Sequence, residues 1–241
     1  MQNKTRGIVL QANFHNDRQT IVDLYTDTFG RISCVAARRK GKHNPLPKVL
    51  FMPLMVVEME IERRSVHGFF YFREAGFCFP LTKLVATPVK SVQALFLAEV
   101  LSHVLKETEP NVRLFDFLYQ SIHLLEDAVE GVANFHLAFL FRLLSFLGIS
   151  PNADTFREGS YFDMRNGVFV PQPPLHKDYL DCTDSRIFFR LFRIRYENMS
   201  LYTFSRRERV NILQKITAYY RLHLPLIREM KSLPILQSLF D

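Results

Sequence analysis

The sequence predicts an α+β protein, with a small closed β-barrel over residues 1–80 followed by a helical domain over 81–241. Three observations predict it. Apolar and polar residues alternate through much of the first eighty positions. Five short strand-like runs follow one another there with no helical stretch between them. From Thr87 onward the apolar spacing changes to that of helices. A sheet of five short strands is stable when it closes, because closure removes the exposed edges.

The strands are TRGIVLQANF, TIVDLYTD, RISCVAA, LMVVEMEIE and HGFFYFREAGFCF. Turn chemistry from Asp27 to Gly30 separates the second from the third. In the fourth, Val57, Met59 and Ile61 alternate with Glu58, Glu60 and Glu62, the period of a half-buried strand. In the fifth, His67, Phe69, Tyr71 and Arg73 share one face, and Phe70 and Phe72 share the other. Phe70 and Phe72 are assigned to the core.

The first long helix, SVQALFLAEVLSHVLKE, carries Val92, Leu95, Phe96, Val100, Leu101 and Val104 at helical spacing after Pro88. VRLFDFLYQSIHLLEDA is a second helix. VANFHLAFLFRLLSFL is a third, stopped by Gly148; it is apolar nearly all round and so belongs at the centre of the helical part. Residues 149–184 read as an irregular, proline-rich insert with one short hairpin at Asn166-Gly167. SRRERVNILQKITAYYRLHL opens with a capping box, Ser205 and Glu208, and ends before Pro225. REMKSLPILQSLF closes the chain.

The composition, 48% hydrophobic residues with 23 Phe, supports a packed core and excludes a disordered chain. The net charge of +7 favours an anionic partner. Residues 1–80 hold 12 Lys and Arg against 7 Asp and Glu, so the first third is the better polyanion surface. Three widely spaced cysteines, Cys34, Cys78 and Cys182, fit a reducing compartment better than a disulfide framework. The N-terminus lacks a signal-peptide core, and the longest apolar stretch, Asn134 to Gly148, is too short to span a bilayer. A soluble, cytoplasmic protein without a membrane partner is expected.

No nucleophile elbow, phosphate loop, zinc-protease helix or dinucleotide fingerprint is present. Asp178, Asp181 and Asp184 are spaced three apart, but Asp184 or Ser185 is better read as a helix entry, since RIFFRLF follows. The chemistry-bearing feature is cationic. AARRKGKHNPLP packs Arg38, Arg39, Lys40, Lys42 and His43 into six positions, with Lys48 just beyond and Arg31 before. Such a run must be solvated or paired with an anion. Tyr71 and Arg73 could add base stacking and a further cation. A second basic set follows the insert. Arg186, Arg190 and Arg193 lie on one helical face, and Arg206 and Arg207 come later. Arg142 stands alone on the apolar helix. The residues leave several readings open: DNA binding, RNA or ribosome association, an anionic membrane contact, or an enzyme with an unfamiliar site.

The order of parts resembles the bacterial recombination mediator family RecO. The resemblance is carried by TRGIVLQ, DTFGRISCVAARRKGK, LPKVLFMPLMVVEMEI, LLSFLGISPN and HLPLIREMKSLPILQSLF, and it spans nearly the whole chain. It implies an OB-fold barrel and a non-enzymatic role. Members bind single- and double-stranded DNA, anneal strands, and help RecA replace the single-strand-binding protein SSB, with RecR as partner. The DNA-binding residues implied are Arg31, Arg38, Arg39, Lys40, Lys42, His43, Lys48, Tyr71 and Arg73. Arg142 is a candidate contact for the acidic, apolar-ended SSB tail. Many members carry a four-cysteine zinc site after the LG-x-x-P-like turn. Here NADTFREGSYFDMRNGVFVPQPP has no cysteine. Cys182 alone cannot make a tetrahedral site, so no metal and no other cofactor are expected. Tyr161, Phe162 and Phe169 are expected to pack this lobe instead.

Overall fold

Five strands open the chain in the computed structural model, which describes residues 2–16, 19–37, 46–63, 68–225, 227 and 229–238. They are β1 (Gln2–Asn16), β2 (Gln19–Thr26), β3 (Gly30–Ala37), β4 (Val56–Arg63) and β5 (Phe70–Phe77). The barrel closes in the order β1-β2-β3-β5-β4. The long β1 makes closure possible, pairing with β4 through Gln2–Ile8 and with β2 from Gly7 onward. A register shift between Val9 and Gln11 bends the strand as it changes partner. The last seam is short and parallel, joining Cys34 to Phe70 and Val35 to Tyr71. Ile8, Val22, Leu24, Cys34, Val57 and Ile61 fill the interior with no exposed surface.

The alternation read in the fourth strand holds, with Val57, Met59 and Ile61 buried and Glu58 exposed. In β5 the pairing slips, because Glu60 faces Glu74 while Ile61 faces Phe72, leaving Arg73 as the extra residue. Phe70 is buried, as expected. Phe72 is only half-buried, its ring 5.4 Å from that of Phe51. Just before β4, Leu54 sits at φ 61, a left-handed conformation that costs a branched residue about 1–3 kcal/mol. Its side chain is buried and its N–H donates to Val9 O at 2.9 Å, so packing and a bond to β1 hold it there.

The helices are α1 (Thr82–Ala86), α2 (Pro88–Val104), α3 (Val112–Asp127), α4 (Phe135–Phe146), α5 (Cys182–Arg190), α6 (Arg206–His223) and α7 (Leu233–Ser238). Pro88 is the first residue of α2, where its missing N–H costs nothing. The inward face of α2 differs from the one its apolar spacing suggests. Leu95 is exposed, and Gln93, Phe96, Leu97, Val100 and Leu101 are buried. A buried glutamine breaks the apolar pattern and hides that rotation from a hydrophobicity reading. The five-residue α1 is too short for any periodicity. Its N-terminal amides at Lys83 and Leu84 donate to the Glu126 carboxylate at 2.8 and 2.7 Å.

The chain forms two compact units, Met1–Asp127 with Met230–Leu236, and Ala128–Glu229 with Gln237–Asp241. In the second, α4 is central as expected. Every residue from Phe135 to Leu144 is buried except Arg142. Residues 149–184 hold more order than one hairpin. β6 (Tyr161–Asp163), β7 (Val168–Val170) and β8 (Tyr179–Leu180) form a sheet in the order β7-β6-β8. The two-residue β8 carries no periodic signal. Phe162 and Phe169 are buried with rings 4.9 Å apart, while Tyr161 is half-buried. The Asp163 carboxylate fastens the turn, accepting from Arg165 N at 2.9 Å and Asn166 N at 3.1 Å. The entry to α5 is capped by Asp181, not Asp184 or Ser185, through a 2.8 Å bond from Asp184 N. The side chain three residues earlier reaches the amide, while Asp184 pairs with Lys215 at 2.7 Å. The α6 capping box forms as read, with Ser205 N on Glu208 Oε2 at 2.7 Å.

Among the described residues, no helix is long and apolar enough to cross a membrane. Also among them, no group of three His, Cys, Asp or Glu is placed to hold a metal ion.

His136 on α4 is fully buried, and burial, followed by the Arg209 charge, pushes its pKa down to about 3. The unfolded chain takes up that proton near its ordinary pKa of about 6.5, whereas the native state stays neutral to about 3. Stability is therefore lost as pH falls through this window. Urea midpoints at pH 7.5 and 5.0 should show a clear drop for the wild type and a smaller one for His136→Leu. Equal drops would show that this imidazole is not the group responsible.

Candidate nucleic-acid interface

The turn between β2 and β3 is where the barrel meets the helices of its own unit. Gly30 stands at φ +60, and an added Cβ would lie 2.6 Å from the Glu109 carbonyl oxygen. Only glycine permits both the backbone conformation and this approach. Next to it, Arg31 N donates to Glu107 O at 3.0 Å. The Arg31 guanidinium donates to Ser102 O at 2.5 Å and Leu105 O at 2.7 Å, carbonyls at the C-terminal end of α2. It also pairs with Asp23 at 3.3 Å. Asp23 in turn accepts from Ser33 at 2.5 Å and Gln11 at 2.6 Å. A cation suits a helix C-terminus, whose last carbonyls lack partners within the helix. The side chain is 17% exposed, which places Arg31 inside this joint and not on an open face.

A second tie lies on β1. Arg6 pairs with Asp27 at 2.9 Å and lies over the rings of Phe115 and Tyr119 on α3, at 5.3 and 5.4 Å. Burial would raise the Asp27 carboxyl, but hydrogen bonds from Thr5 and Arg6 outweigh it and hold the group below the usual carboxylate range.

Of the cations assigned from sequence, Arg38, Arg39, Lys40, Lys42 and His43 lie outside the described residues. They follow directly on Ala37, the last residue of β3. Lys48 is exposed at the start of a 3-10 turn before β4. Tyr71 is half-buried and faces Glu62 across the β4–β5 pairing. Arg73 is exposed and forms an ion pair with the same Glu62. The bulge thus keeps Tyr71 and Arg73 on one side, as the alternation suggested, but beside a carboxylate.

Between β3 and the β4–β5 connection lies a pocket of about 740 Å³. Its wall includes Phe29, Arg63, Phe69 and Phe70. Phe29 and Arg63 carry no periodic or motif signal and were invisible to sequence reasoning. The doublet Arg63-Arg64 at a strand end, ahead of an aromatic run, is the trace that could have drawn attention. A contrasting face lies on the other side of β4. There Lys4, Glu58, Glu60 and Glu74 line a shallow depression.

In the second unit the arginines of the other basic set lean on aromatic rings. Arg190 lies over Tyr202 and Phe204 at 5.8 and 5.6 Å, and Arg193 over Phe189 at 5.8 Å. Helix α5 ends at Arg190 and continues as a 3-10 turn, Leu191–Arg193, in which positions three apart eclipse, so Arg193 stays in line with Arg190. Arg186 is exposed and paired with Glu158. Arg206 and Arg207 are exposed in the first turn of α6, the end of a helix that disfavours cations. Arg142 is half-buried with its guanidinium 5.5 Å from the Tyr196 ring, which stacks on Phe135 at 4.9 Å.

A closed five-stranded barrel followed by helices defines an OB-type barrel protein with a helical extension. Comparison with known families makes this specific. The description Recombination protein O N terminal matches residues 1–78, and Recombination protein O C terminal matches 86–234. The chain belongs to the RecO family of DNA repair proteins. It is 41% identical over 238 residues to the DNA repair protein RecO of Azobacteroides pseudotrichonymphae, covering 99% of each chain. It is likewise 41% identical over 242 residues to the RecO of Bacteroides fragilis, covering 100% of each. The RecO of Porphyromonas gingivalis is 36% identical over 243 residues, covering 98% of each.

The Arg31 joint carries a testable consequence. Removing the guanidinium leaves Asp23 without its cation and takes a donor from Leu105 O and from Ser102 O, the latter keeping Lys106 Nζ at 2.7 Å. Arg31→Ala should cost about 2–4 kcal/mol in urea unfolding. A loss below about 0.5 kcal/mol, the level of an ordinary surface change, would show that the joint does not depend on Arg31.

Proposed function

We propose that this chain is a non-enzymatic DNA-binding mediator of recombinational repair. It binds single- and double-stranded DNA without sequence preference, anneals strands, and helps load RecA onto SSB-coated DNA with RecR as partner, in the cytoplasm. The observation that carries the reading is the closed barrel whose β3 runs straight into Arg38–His43, in a chain matched along its full length by DNA repair proteins. Phosphate contact supplies affinity on any sequence, which is what annealing and loading require. The barrel is also electrostatically sided. Glu58, Glu60 and Glu74 on β4 and β5 repel a phosphate backbone, so the strand runs over β3 and the segment after it. Arg31 supports this surface from within, while Lys48, Tyr71 and Arg73 border it.

The second basic set offers the helical part an anionic contact of its own. Arg206 and Arg207 oppose the helix dipole, a small cost of about 0.3–1 kcal/mol each at a surface, and they gain most when an anion approaches. Arg142 on α4 is the proposed cation for the SSB tail, since a half-buried guanidinium on an aromatic stack suits a terminal carboxylate. Titration with the tail peptide should show weaker binding for Arg142→Ala at an unchanged melting temperature. Unchanged affinity would remove Arg142 from that role.

The binding reading is tested by anisotropy of labelled DNA and RNA over a salt series. Contact with about four to six phosphates of a single strand gives a slope of about −3 to −4 in log K against log salt. Replacing Arg38, Arg39, Lys40 and Lys42 with Ala should weaken all sequences alike and leave the melting temperature in place. A flat salt response excludes the polyanion reading. A marked preference for RNA over DNA of equal length would favour the alternative, an RNA- or ribosome-associated barrel protein.

A further inference from the structure

The pocket between β3 and the β4–β5 connection has a composition that phosphate binding alone does not explain. Phe69 is 48% exposed in its wall, leaving ring surface open to a ligand. Behind it Phe70 is nearly buried, with its ring 5.5 Å from that of Phe29 and inclined at 45°. The exposed Arg63 holds its guanidinium 5.1 Å from the Phe70 ring. Thr108 adds a hydroxyl to the wall, as does Thr28, whose own proton goes to Asp27 at 3.0 Å and which is left as an acceptor. At about 740 Å³ the space falls within the roughly 300–1,000 Å³ of small-molecule sites.

These parts match one ligand chemistry. A half-exposed aromatic ring accepts a flat π-system. A guanidinium at the mouth accepts an anion, and hydroxyls meet polar ring edges. An apolar peptide would leave the guanidinium and the hydroxyls unused, and a bare phosphate would leave the aromatic face unused. A nucleotide uses all three. The base must be unstacked to enter, so a single strand can supply it and an intact duplex cannot.

We infer that this pocket takes one extruded nucleobase of a single strand, stacked on Phe69, with the adjoining phosphate on Arg63. The inference rests on the DNA-binding reading and adds to it a subsite that separates single-stranded from duplex DNA. The joint at Gly30 and Arg31 holds the α2–α3 connection against the barrel and so builds the part of the wall where Thr108 and Pro110 lie.

The test compares wild type, Phe69→Ala, Phe69→Leu and Phe69→Tyr for binding to an oligo-dT strand and to a duplex of equal length, with a melting curve for each. Stacking on one base is worth about 5- to 160-fold in affinity. Phe69→Ala and Phe69→Leu should lose that much on the single strand and less than about twofold on the duplex. Phe69→Tyr should retain wild-type affinity. A 2-aminopurine placed in the strand should change fluorescence on binding wild type and less on binding Phe69→Ala. Equal loss on strand and duplex, no loss on either, or full activity of Phe69→Leu overturns the base pocket while leaving DNA binding intact. Failure of wild type to bind any DNA overturns the binding reading itself, and the pocket with it.

Discussion

One half-buried guanidinium organises the first unit. Arg31 reaches from the start of β3 to the last carbonyls of α2, and it is held in that pose by Asp23. The partners are mutually dependent. The helix has ended at these carbonyls, so Leu105 O takes its donor from Arg31 and Ser102 O shares Arg31 with Lys106, Asp23 needs a cation because it is half-buried, and Gly30 lets the backbones come close enough for both. Because the α2–α3 connection is pinned here, the barrel carries a third wall beside β3 and the β4–β5 connection. A pocket with an exposed aromatic in its wall follows from that arrangement.

The same economy of charge shapes the surface. Cations near the helices of the first unit are engaged: Arg6 with Asp27 and two rings, Arg31 with helix carbonyls. Carboxylates collect outside β4, where Glu58 and Glu60 alternate with Met59 and Ile61 inside. The surface we propose for a polyanion is the side of the barrel where β3 ends. Sequence-independent affinity through phosphates and an added preference for unpaired bases would together suit a protein that handles single strands during repair.

Much of this fold was legible because period and punctuation agree. The alternation of Val57, Met59 and Ile61 with glutamates, the capping box at Ser205 and Glu208, and the apolar circumference of α4 each admit one physical solution. The family resemblance was legible in the same segments. Other features stayed hidden for definite reasons. Arg31 looks like one more cation in a basic third of the chain, since nothing local shows that it meets carbonyls 71 and 74 positions away. The bulge at Arg73 follows from pairing with β4 and not from the β5 sequence itself. A buried Gln93 disguised the inner face of α2, and the two residues of β8 are too few for a pattern. The pocket is assembled from Phe29, from Arg63 and Phe69, and from Thr108, three separate stretches of the sequence that the barrel's closure and the Gly30–Arg31 joint bring together.

The account's central claim is that a single strand crosses the barrel on the side of β3 and the β4–β5 connection. Photo-cross-linking with 5-iodo-deoxyuridine placed along an oligonucleotide, followed by peptide mapping, tests it directly, because the halogenated base reacts with the aromatic side chain it stacks on. The account predicts adducts on Phe69 and its neighbours, together with cross-links in the Arg38–Lys48 segment. Cross-links confined to the glutamate-bearing outer face of β4, or found only in residues 128–229, would contradict it.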